Sequence, residues 1–145
     1  MPRIEVTHWI ELPRSEVWPA LADLGSHVQW MQDARSLRFL GEQTSGVGTR
    51  MEVETQVGPL RTLDVIEVTE WMEGEAVGAA HRGMVRGSGL LSLRDQEAGT
   101  LVVWAEELDF PWWLGGRLTA WLAKPFLARI WRANLARFAA SLSGP

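Results

Sequence analysis

TLVVWAEELDFPWWLGGRLTAWLA, residues 100–123, changes its period half-way along. Through Phe110 it alternates: Thr100, Val102, Trp104, Glu106, Leu108 and Phe110 lie on one face, and Leu101, Val103, Ala105, Glu107 and Asp109 on the other. A repeat of two is that of a strand with one buried face. Pro111 ends the strand, and Gly115-Gly116 let the chain turn. Beyond them Leu114, Leu118, Trp121, Leu122, Phe126, Ile130, Leu135, Phe138 and Leu142 recur at three and four residues. That spacing predicts a helix over about 114–142, with a kink expected near Pro125.

The chain upstream is mostly of period two. RIEVTHWIEL predicts a strand with Ile4, Val6, His8 and Ile10 inward. PRSEVWPALADL predicts a short helix that Pro19 limits, and SHVQWMQDA a second one. From residue 36 to residue 110 six strands follow, joined by short turns such as Gly58-Pro59 and the DQEAG run. Consecutive strands with short turns read as an antiparallel meander. The element order is strand, two short helices, six strands, long helix. A curved seven-stranded antiparallel sheet must bury one face, and the long helix is the element available to cover it. The expected class is α+β in a single domain over residues 1–145. Gly87 and Gly89, on the inward face of their strand, leave room between sheet and helix.

Composition narrows the function classes. There is no Cys, which excludes disulfides and thiolate chemistry, and the N-terminus has no apolar leader, so a cytoplasmic protein is expected. Residues 1–114 carry nine basic against eighteen acidic residues, net −9, whereas residues 115–145 carry five basic residues and no acid, net +5. An acidic body argues against nucleic acid as a partner. Three unclustered histidines predict no metal site, and no phosphate-cradling loop or nucleophile turn is present, so no cofactor is expected.

The run P-x-x-x-V-W-x-x-L-x-D at Pro13–Asp23, Trp30-Met31, G-V-G-T at Gly46–Thr49 and A-G-T-L-V-V-W at Ala98–Trp104 resemble the START/Bet v 1-like (SRPBCC) superfamily. Within it they are most similar to bacterial polyketide cyclase/dehydrase-like proteins. The resemblance covers about residues 3–142. It implies a helix-grip fold with a cavity for an apolar molecule such as a lipid, polyketide or isoprenoid. It carries over no catalytic residue.

Binding, and with it transport, of a hydrophobic small molecule is the leading expectation. The alternatives are an aromatase/cyclase-like enzyme and an interaction domain with a filled core. Glu106 is the one charge on the Trp104 face, and His8 lies on an apolar face; these two are the candidates for catalysis or for orienting a ligand. The predicted lining comprises Met51, Val53, His81, Leu91 and Trp104 from the sheet, beside His8 and Glu106. Trp121, Leu122, Phe126 and Ile130 are expected to complete it from the helix, with Trp121 facing Trp104. Small neighbours leave the face of His81 open, and Asp64 fits either face. Trp18 and Trp30 are expected in the core, Trp9 in solvent, and Trp131 at the edge of the helix stripe. Trp112 and Trp113 are the candidate gate, one packed at the cavity end and the other toward solvent or a partner. Residues 111–138 hold Trp112, Trp113, Trp121, Phe126 and Trp131 with five basic residues and no acid, which is also the composition of a helix lying on a membrane surface. The sheet's need for a cover makes gripping the sheet the leading role of that helix.

Overall fold

A computed structural model describes residues 3–143. Strand β1 (Arg3–Ile10) is followed by α1 (Arg14–Ala22) and a 3-10 helix (Leu24–Gln29). Then come β2 (Ala34–Phe39), β3 (Arg50–Val57), β4 (Leu60–Met72), β5 (Ala76–Arg82), β6 (Arg86–Gln96) and β7 (Gly99–Asp109). A second 3-10 helix (Trp112–Leu114) leads into α2 (Gly116–Ser143). The seven strands form one antiparallel sheet in the order β1-β7-β6-β5-β4-β3-β2. The meander reading of residues 36–110 is therefore correct, and β1 returns to pair with β7 at the far edge. Register shifts between Ala34 and Ser36 and between Val68 and Glu70 mark bulges, which bend strands and increase twist.

The inward faces follow the period-two pattern. Ile4, Val6 and Ile10 of β1 are buried with Val102 and Trp104 of β7 and Leu93 of β6. α1, which holds Pro19 in its second turn, buries Val17, Trp18 and Leu21 and packs against β6 and β7. The two indoles Trp18 and Trp71 meet edge to face at 5.5 Å, and both donate to the Glu73 carboxylate, at 2.9 and 2.8 Å. These bonds, that of Trp71 first, hold the Glu73 carboxyl below its ordinary range.

The joint after β7 is built as its residues require. Gly115 and Gly116 have φ of +97° and +53°, a region that favours glycine. The Thr119 hydroxyl donates back to the Leu114 carbonyl and closes the turn. α2 runs unbroken through Pro125 and packs on β1 and β7. Its buried face is Ala120, Leu127, Ala128, Trp131, Asn134, Leu135 and Phe138. This shares only Leu135 and Phe138 with the predicted stripe. Leu118, Trp121, Leu122 and Phe126 are exposed, whereas Trp131, expected at the edge, is 4% exposed. Trp131 stacks on Trp104 with ring centroids 4.9 Å apart and planes 13° from parallel. The expected Trp104–Trp121 pairing is thus corrected to Trp104–Trp131.

Candidate functional site: a cavity over the glycine strand

Beside the α2 contact, the concave face of β3–β7 encloses a cavity of about 110 Å³ between the sheet, β2 and the first 3-10 helix. Its walls are apolar: Met51, Val53, Ile66, Val77, Leu91 and Trp104 among others. The polar side chains that reach it are His27, His81 and Glu106.

His81 and Glu106 form a pair that the sheet register explains. His81 is on β5 and Glu106 on β7, so β6 runs between them. Gly87 lies opposite His81, and Gly89 lies opposite Glu106. Two strand spacings, about 9.6 Å, and an offset of two residues along β6 separate their backbones. The two side chains cross that gap over the glycines, and His81 Nε2 donates to Glu106 Oε1 at 3.2 Å. A Cβ on Gly89 would stand 2.7 Å from the Glu106 carboxylate, and one on Gly87, where φ is +145°, would run into the Glu107 carbonyl. The pair is mostly buried, His81 at 15% and Glu106 at 12% side-chain exposure. Burial pushes the His81 imidazole down. The hydrogen bond and charge of Glu106, with the charge of Asp64, outweigh it and leave its pKa above the ordinary value. Asp64 itself faces inward from β4, buried, and accepts from the Thr62 hydroxyl at 3.2 Å.

Met51, Val53, His81, Leu91, Trp104 and Glu106 therefore come together at this cavity. His8, Trp121, Leu122, Phe126 and Ile130 do not line it. His8 does share the inner parity of β1, but it lies at the far end, by Ala136 and Ala139 of α2. No α2 residue lines the cavity, which corrects the expected roof: α2 is engaged with β1 and β7, and the first 3-10 helix covers the space instead. Trp112 and Trp113 stand away from the lining and are both exposed, at 86% and 56%, so neither packs at the cavity end.

Two features near the site escape a reading of residue spacing. His27 is buried and donates from Nε2 to the Leu21 carbonyl at 2.7 Å. Its pKa is lowered by burial. A 3-10 helix gave no repeat from which its direction is readable. Asn134, fully buried in α2, accepts from the Gln32 amide and donates to Asp33, both at 2.9 Å, and so ties α2 to the segment that precedes β2. Burial raises the Asp33 pKa, the Asn134 bond opposing it and the nearby Glu106 charge adding to it. Trp131 was legible: Leu127, Trp131, Asn134, Leu135 and Phe138 recur at three and four residues as well as the chosen stripe does. Among the described residues, no group of three or more His, Asp or Glu is placed to hold a metal ion.

The fold is shared widely. The structure matches TTHA0849 of Thermus thermophilus with a TM-score of 0.83 at 17% identity, over 97% of each chain. A conserved protein from Geobacillus kaustophilus matches with a TM-score of 0.78 at 15% identity, over 98% of this chain and 95% of that one. Ara h 8.0201 matches with a TM-score of 0.66 at 10% identity over 97% of each, which places the architecture among Bet v 1-like helix-grip folds. Comparison with curated proteins gave no match. The family described as polyketide cyclase / dehydrase and lipid transport matches residues 1–143, and the chain belongs to that family.

Proposed function

We propose that the protein binds a small apolar molecule carrying one hydrogen-bonding group, such as a hydroxyl or carbonyl. The observation that carries this reading is the His81–Glu106 pair in an otherwise apolar cavity. Apolar walls supply affinity at roughly 25 cal/mol per Å² of ligand surface covered, less the cost of ordering. The pair supplies both a donor and an acceptor and fixes which end of the ligand enters. At about 110 Å³ the cavity is smaller than the ~300 Å³ at which drug-sized sites begin. A lipid- or polyketide-sized ligand therefore inserts one end and leaves the rest at the opening, which suits a carrier. Native mass spectrometry after exposure to a lipid extract tests this: the wild type retains a ligand mass and Ala79→Phe, which fills the cavity, does not. Equal retention by both, or none by the wild type, contradicts the reading.

A second reading rests on the same pair. His81, held ready to be protonated beside a carboxylate, is suited to move a proton to and from a bound carbonyl compound, as cyclisation chemistry requires. Binding that survives His81→Gln while turnover is lost separates the enzyme from the carrier.

A further inference from the structure

α2 has two apolar faces. Leu127, Trp131 and Leu135 are buried on the sheet. Leu118, Leu122 and Phe126 precede them by nine residues each, which at 3.6 residues per turn puts them on the opposite side of the helix. Trp121 shares that outer side, one turn from Leu118 and beside Leu122. All four are more than half exposed, and so are Trp112 and Trp113 at the joint. This is not a core stripe left uncovered, because the side facing the sheet is already filled. Farther along the outer side, at the same helical spacing, come Arg129 and Arg132, both exposed. Lys124 Nζ lies 5.3 Å from the Trp121 ring centre. No acidic residue occurs from residue 110 to residue 143.

We infer that this outer face docks the protein on an anionic membrane surface, the aromatic end entering the interface and the arginines meeting lipid phosphates. Charge decides between occupants. The segment is net +5 on a body of net −9, so a second copy presenting the same face would meet like charge. An anionic bilayer offers opposite charge and an apolar layer together, and tryptophan is the side chain that settles at that boundary. Among the described residues no helix is long and apolar enough to cross a membrane, so the contact is peripheral. The inference stands independently of the ligand reading and needs no ligand to test.

The test is co-sedimentation with vesicles of phosphatidylglycerol and phosphatidylcholine in equal parts, against phosphatidylcholine alone, with sedimentation velocity on the free protein. The wild type should bind the anionic vesicles, bind the neutral ones far more weakly and lose binding as salt is added. Trp112→Ser/Trp113→Ser/Trp121→Ser and Arg129→Gln/Arg132→Gln should each weaken partitioning about tenfold or more, with thermal melting unchanged because every site is exposed. No wild-type binding, equal binding to neutral vesicles, or variants that bind like wild type would overturn the inference. So would a wild-type dimer that the tryptophan variant converts to monomer without any vesicle binding.

Discussion

His81 and Glu106 meet at 3.2 Å although a whole strand lies between the strands that carry them. The contact exists because β6 presents Gly89 where a side chain would otherwise meet the Glu106 carboxylate. Gly89→Ala should therefore displace the Glu106 carboxylate. We expect a loss of about 1–3 kcal/mol by urea unfolding, the usual cost of overpacking, and a fall in the His81 pKa measured by NMR. Glu106→Gln should lower the His81 pKa as well, since it removes the hydrogen bond to a charge while burial remains. A His81 titration unchanged in both variants would refute this account of the pair.

His81 and His27 pull stability in opposite directions with pH. His81 has a raised folded pKa, so its stabilisation is complete below about 6.5 and is lost as pH rises through the folded value. His27 has a lowered one, so the fold begins to lose stability as pH falls below about 6.5, where the unfolded chain takes up a proton that the folded chain refuses. Removing His81 by His81→Gln should steepen the loss of stability on acidification from pH 7 to pH 5. Urea unfolding across that range measures it, and an unchanged or shallower slope would contradict the assignment.

The aromatic pairing of α2 separates core from surface within one helix. Trp131→Ala should cost about 3–5 kcal/mol, because it empties the space against Trp104 and lies 4% exposed. Trp121→Ala should stay within about 0.5 kcal/mol of wild type, because its ring is 58% exposed. Chemical denaturation of the two variants distinguishes them, and equal effects would place the helix in a different rotation.

Asn134 joins α2 to residues 32 and 33 through both ends of its amide. Asn134→Leu leaves the Gln32 amide and the Asp33 carboxyl without those bonds. We expect it to destabilise by about 1–3 kcal/mol despite its better apolar match. A neutral or stabilising effect in urea unfolding would show that water takes over both bonds.

The order of β2 to β7 and the helix at the end were legible because one buried face imposes period two on each strand, and short turns force neighbours to pair; the return of β1 to β7 was not, because no short turn joins them. The inward faces of Met51, Val53, Leu91 and Trp104 followed from the same alternation. The His81–Glu106 pair was not legible, since it depends on the register of three strands at once. Gly87 and Gly89 read as room between sheet and helix, and the pair emerges only once they are placed opposite His81 and Glu106. The rotation of α2 was misread for a different reason. The helix carries apolar residues on both sides, so hydrophobic spacing fits two stripes, and the chosen one ran along the exposed side through Leu118, Trp121, Leu122 and Phe126 before meeting the buried one at Leu135 and Phe138. The same choice put Trp121, Leu122 and Phe126 in a cavity they do not line.

The central claim is that an apolar molecule enters the cavity with its polar group toward His81 and Glu106. Its most direct measurement is an NMR titration of the labelled protein with 2-naphthol, two apolar rings and one hydroxyl. The account predicts saturable shifts centred on Ala79, Gly89 and the Trp104 indole, and binding weakened about tenfold, near 1.4 kcal/mol, by Glu106→Gln. Shifts centred elsewhere, or binding indifferent to Glu106→Gln, would contradict it.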